Sequence, residues 1–157
     1  MVVPALQQVA SPPDQIEAEA VAALFFPEDR PLAGAAGLLD WRLNGLLTNL
    51  IRDGKVSGQF GEQLWLQANG KLRAPWVLLA GGGERQALAD ADKFRQIMTH
   101  LLQVAAASGI KRLVVGVDPD GQLGKEIHAG LIEEVWTHLA PEAMQCLVSF
   151  DQSWVKR

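Results

Sequence analysis

The chain has 157 residues, 48% of them hydrophobic and 20% charged, with a formal net charge of −4; those values suit one folded domain and exclude a disordered or fibrous chain. The acidic balance and the isolation of its basic pairs, Lys111-Arg112 and Lys156-Arg157, argue against a nucleic-acid partner, whose phosphates demand clustered Lys and Arg. No apolar run approaches the roughly 20 residues of a membrane helix, and residues 1–8 lack the basic start and apolar core of a signal peptide, so a cytoplasmic protein with no membrane partner is expected.

Residues 2–9 predict a short first strand, closed by the breaker Ser11-Pro12-Pro13-Asp14. Residues 20–26 form a nearly continuous apolar run stopped by Pro27, the pattern of a strand buried on both faces. Pro31 suits the first turn of a helix. Behind it Leu39, Leu43, Leu46, Leu47 and Leu50 recur at helical spacing and predict one helix ending at Asp53-Gly54. Gly45 interrupts that pattern and suggests a close approach of helix to sheet.

Residues 62–67 and 72–80 predict strands joined at Asn69-Gly70, a strong hairpin signal because both residues tolerate positive φ. Gly81-Gly82-Gly83 follows, and a long helix over 84–107 carries Ala87, Ala91, Phe94, Met98, Leu101 and Ala105 on one face. Residues 111–117 predict a strand, Asp118-Pro119-Asp120-Gly121 a turn, and 123–139 a helix with Leu123, Ile127, Leu131, Val135 and Leu139 on one stripe. Residues 144–150 close the core as a last strand, and 151–157 form a tail. Strand–helix alternation in the second half implies parallel crossovers, whereas the hairpin implies an antiparallel pair. Both are met by a mixed sheet between helix layers, in a single domain over residues 1–157 with its core over about 2–150.

Three stretches resemble the N-terminal domain of leucyl (cytosol) aminopeptidases. They are FFPEDRPLAGAAGLLDWRLNG at 25–45, VSGQFGEQLWL at 56–66 and WVLLAGGG at 76–83. The resemblance implies a three-layer α/β/α macro-like domain with a mixed sheet. In that family catalysis belongs to a separate C-terminal domain holding two metal ions. This sequence ends at Arg157 with no counterpart of that domain, so no catalytic or metal residue is carried over and no cofactor is expected. The implied function is a non-catalytic binding or assembly module, with a homo-oligomer or another protein as partner. The alternatives are a module binding ADP-ribose or a related nucleotide, and residual aminopeptidase-related activity.

The candidate ligand-binding residues are Gly81, Gly82, Gly83, Asp118 and Asp120. A glycine turn before a helix offers free backbone N–H groups to an anion, as glycine-rich loops of macro domains do for ADP-ribose. Glu84 opposes that by placing a negative charge there. Asp118 and Asp120 follow a strand, where open α/β sheets commonly place ligands, but Asp is equally a turn and capping residue. Glu134 and His138 lie one helical turn apart, yet a pair is an incomplete metal set. His128 lies on another side of that helix, with a surface or capping role expected. None of the serines sits in a nucleophile-elbow sequence. The single cysteine, Cys146, reads as a small buried hydrophobe. Among five tryptophans in a chain without tyrosine, Trp65 and Trp76 suit core packing, and Trp41 and Trp154 suit an interface.

Overall fold

A computed structural model describes residues 6–118, 123–139 and 144–150. Strands β1 (Leu6–Val9), β2 (Ala20–Phe25), β3 (Gln63–Gln67), β4 (Trp76–Gly81), β5 (Arg112–Gly116) and β6 (Gln145–Ser149) form one sheet, in the order β1-β6-β5-β2-β4-β3. β3 pairs antiparallel with β4, and the other neighbours pair in parallel. The mixed α/β sheet expected from the hairpin and the alternation is therefore present.

β2 sits centrally, between β4 and β5, with all of its residues buried. Its alternating side chains feed two cores. Ala20, Ala22 and Leu24 join Leu113, Val115 and Cys146 under helices α3 (Ala91–Ala107) and α4 (Gly124–Leu139). Val21, Ala23 and Phe25 join Val77, Leu79, Val114 and Leu147 under α1 (Gly34–Arg42) and α2 (Leu46–Arg52). Each large apolar side chain so buried contributes about 1.5–3 kcal/mol.

Several boundaries depart from the sequence expectations. The helix expected from Pro31 to Asp53 is two helices, because Asn44 and Gly45 take the left-handed φ values 59° and 79°. Gly45 serves that break and not a close approach: no heavy atom lies within 4 Å of the place of its missing Cβ. The Asp40 carboxylate then accepts from Leu47 N, Thr48 N and Thr48 Oγ1, which fixes the start of α2. Pro31 precedes α1, whose first residue is Gly34. Of the leucine stripe Leu39, Leu43 and Leu47 are buried, whereas Leu46 is exposed.

The helix expected over 84–107 divides too. A 3-10 turn, Arg85–Ala89, precedes α3, and the Asp90 carboxylate caps α3 by accepting from Lys93 N. β4 starts at Trp76 and not at residue 72; Asn69 and Gly70 do take positive φ, but Pro75 accepts from Ala68 N and has no N–H to return. On α4 Leu131 and Val135 of the expected stripe are buried, but Ile127 is exposed and the buried face widens to take in His128, Ile132 and Trp136.

Candidate functional site

The C-terminal ends of β2, β4 and β5 meet where α1 leaves the sheet toward one face and α3 toward the other. This is the switch point at which open α/β sheets commonly hold ligands. Gly81, Gly82, Gly83 and Asp118 all lie there, whereas Asp120 and Trp154 fall outside the described residues.

All three glycine N–H groups are engaged by the chain itself. Gly81 N donates to Glu62 O, Gly82 N to Phe25 O and Gly83 N to Gly58 O, each at 2.9 Å. A Cβ on Gly81 would lie 2.0 Å from Gln59 O, and one on Gly82 would lie 2.1 Å from the Phe26 ring. Gly81 and Gly82 are thus required by close packing on neighbouring backbone and ring, and Gly83 by its left-handed φ of 82°. The helical element that follows is the 3-10 turn, so these N–H groups do not form the first turn of α3.

The loop that receives Gly81 and Gly83 is itself organised by a carboxylate. Glu62 accepts from the backbone N–H groups of Ser57, Gly58 and Gln59 and from the Ser57 hydroxyl. Burial pushes its carboxyl upward, but the hydrogen bonds from Gly58, Ser57 and Gln59 outweigh it, and the net shift is downward from 4.5.

Asp118, at the end of β5, reaches across to α1. Its Oδ1 accepts from Ala35 N at 2.8 Å, so it caps the start of a helix that has no side-chain cap of its own. Gly34 makes room: a Cβ there would lie 1.8 Å from Asp118 Oδ2. Arg85 stands 3.6 Å from Asp118 Oδ2 and 2.7 Å from Asp29 Oδ2, with its guanidinium over the Phe26 ring and its backbone N–H donating to Glu28. Burial raises the Asp118 carboxyl above its ordinary value, against the Ala35 hydrogen bond and the Arg85 charge, which lower it. Arg85 thus bridges Asp29 and Asp118 at this end of the sheet. Beside it a groove of about 240 Å³ runs between Phe60, Gly82, Gly83 and the Lys93–Ile97 side of α3.

The remaining candidates lie apart from this crevice. Glu134 receives Arg95 Nε at 3.4 Å. Among the described residues no group of three or more His, Cys, Asp and Glu is arranged to hold a metal ion. His128, expected at the surface or in a cap, is fully buried: its Nε2–H donates to Leu88 O at 2.7 Å and its ring stacks on Phe94, tying α4 to the 3-10 turn. Cys146 is buried and its thiol is pushed up to about 12. Trp41 is 67% exposed, with the Arg42 guanidinium 5.1 Å from its ring. Trp65 packs edge-on against Trp76, which is itself 39% exposed.

Phe26, Asp29, Arg85 and Gly34 were not singled out from the sequence. Their signal was present but faint: charged pairs, Asp29-Arg30 and Glu84-Arg85, each just past a strand end.

Solved structures similar in shape share this architecture. A tomato leucine aminopeptidase variant superposes with a TM-score of 0.70 at 16% identity, covering 93% of this chain and 32% of that one. The macrodomain of Mycobacterium tuberculosis DarG superposes with a TM-score of 0.67 at 14% identity, covering 93% and 97%. At these identities they establish a macro-type fold. In sequence, the probable cytosol aminopeptidase of Colwellia psychrerythraea is 31% identical over 118 residues, 75% of this chain and 23% of its own length. That of Persephonella marina is 32% identical over 100 residues, 64% of this chain and 20% of its own length. The chain thus spans about a fifth of the length of these curated relatives. The model of the cytosol aminopeptidase family's N-terminal domain matches residues 21–137. With three quarters of its length matched and the fold shared, the chain belongs to the cytosol aminopeptidase family, as a representative of its N-terminal domain.

Proposed function

We propose that this chain works as a non-catalytic binding and assembly module, using a macro-like scaffold whose ligand crevice is turned to structural use. One observation carries the reading: the N–H groups of Gly81, Gly82 and Gly83, which a bound anion would need, already donate to Glu62, Phe25 and Gly58 carbonyls. Asp118 and Arg85 support it, because each is held by partners within the chain. Recognition then falls to the outer surface, where Trp41 and Trp76 are exposed. The setting we propose is the cytoplasm, in keeping with the cytosol aminopeptidases that the chain resembles.

Sedimentation velocity over a wide concentration range tests assembly; a particle that stays monomeric at the highest concentration removes it. Calorimetry with ADP-ribose tests the rival small-ligand reading, in which Gly81–Gly83, Asp118 and Asp120 receive the nucleotide. No heat and no thermal shift are expected; saturable binding would replace our reading with that one. Turnover of a leucine chromogenic substrate with added manganese or zinc would overturn the non-catalytic part.

A further inference from the structure

The unpaired edge of β3 offers a more specific surface. The hydrogen bonds that flank the β3–β4 ladder fix its phase: Gly81 N donates to Glu62 O and Ala68 N to Pro75 O. Residues on an antiparallel strand alternate between bonding inward and outward. Leu64 and Leu66 therefore bond to β4, and the N–H and C=O groups of Gln63, Trp65 and Gln67 point to the open side. β3 is the last strand of the sheet on that side, and among the described residues nothing pairs with those groups.

Edge strands are commonly protected by charge, proline or a bulge. β3 has none of these: it reads Gln-Leu-Trp-Leu-Gln. That sequence is also its own reverse. Let a second copy lie antiparallel with Trp65 on the dyad. Gln63 then meets Gln67 of the other copy, Leu64 meets Leu66, and Trp65 meets Trp65. Each outward-bonding pair exchanges an N–H and a C=O, so the ladder is complete in that register. A twofold interface demands this self-complementarity. The same register sets Asn69 against Gly61 of the other copy, and Gly61 has open space where a side chain would project. It also covers an apolar surface: Leu64, Trp65 and Leu66 are half-buried, and Trp76, edge-on to Trp65, is exposed.

We infer that two copies of this chain join through β3, pairing antiparallel about Trp65 into one continuous sheet. The inference rests on the assembly reading above and names its partner.

The test is charge placed at the exposed glutamines, measured by sedimentation equilibrium of the full chain. Wild type is expected to dimerise. Gln63→Lys with Gln67→Lys sets lysine against lysine at both ends of the ladder and is expected to raise the dimer Kd about tenfold or more. Gln63→Glu with Gln67→Lys sets Glu against Lys at those same contacts and is expected to restore the wild-type Kd. Restoration is the register-specific result, because only the antiparallel dyad brings position 63 against position 67. A dimer indifferent to the double lysine variant overturns edge pairing and leaves the assembly reading standing. A monomeric wild type overturns both.

Discussion

At Gly34 a backbone φ of 65° and the carboxylate of Asp118 compete for the same missing side chain. Gly34→Ala is expected to cost about 1–2 kcal/mol from the left-handed backbone alone. Pushing Asp118 off Ala35 N adds about 1–3 kcal/mol for an unpaired buried donor. Urea unfolding should show the sum; a loss below the backbone contribution would mean that Asp118 does not depend on this glycine. Asp118 itself answers to pH. Burial holds its carboxyl above the ordinary 3.8, so the folded state binds the proton more tightly than the unfolded chain. Its stabilising contribution is full below the ordinary value and is lost as pH rises through the folded value. Asp118→Asn keeps an acceptor for Ala35 N without the buried charge. It should be at least as stable as wild type at neutral pH, with the advantage vanishing below about pH 4, near the ordinary carboxylate value. A variant less stable by the same amount at every pH would show that the charge, paired with Arg85, is not a burden. Asp118 was legible from its place at a strand end, but its role was not. The N–H group it satisfies lies 83 positions away, and no local pattern encodes that.

Helices and strands were legible to different depths for a related reason. Apolar runs such as 20–26 and Leu113-Val114-Val115 marked strands because burial on both faces leaves no alternation to misread. Asn69-Gly70 marked the antiparallel pair through its own conformational preference. The breaks inside the two long helical patterns were hidden, because leucine and alanine spacing continues across them. At each break a carboxylate fixes the new start: Asp40 that of α2 and Asp90 that of α3. Asp40 acts seven residues ahead of Leu47, outside the usual capping distance, and Asn44-Gly45 was the available clue. Asp40→Ala removes acceptors from Leu47 N, Thr48 N and Thr48 Oγ1 together. We expect a loss of about 1–2 kcal/mol and faster amide exchange confined to the first turn of α2. Exchange that speeds up evenly across the sheet would mean that the cap supports the whole fold and not that helix. His128 was misplaced by the opposite error. An apolar stripe through Ile127 looked complete, while the buried face keeps Leu131 and Val135 but replaces Ile127 with a histidine whose ring packs on Phe94 like an apolar side chain.

At the scale of the molecule, the two cores share one sheet, so neither helix layer can leave without exposing β2 and β5. Cys146 makes this measurable. It is fully buried in β6, between β1 and β5, and faces the α3–α4 layer with Trp136 and Met144. Its thiol, pushed up to about 12 by burial, is almost wholly protonated at neutral pH and has no path to a reagent in the native state. Reaction with a disulfide reagent therefore requires an opening. β1 is short and lies at the edge, so its detachment bares only one side of β6, and the α3–α4 layer still covers the sulfur. Labelling is expected to follow global unfolding: the free energy from labelling rates should match that from urea unfolding, with the same denaturant dependence. A shallower dependence on urea would show that α4 and β6 open as a separate unit. In that case the sheet is not a single cooperative body, and it divides along the β5–β6 ladder and the α3–α4 packing.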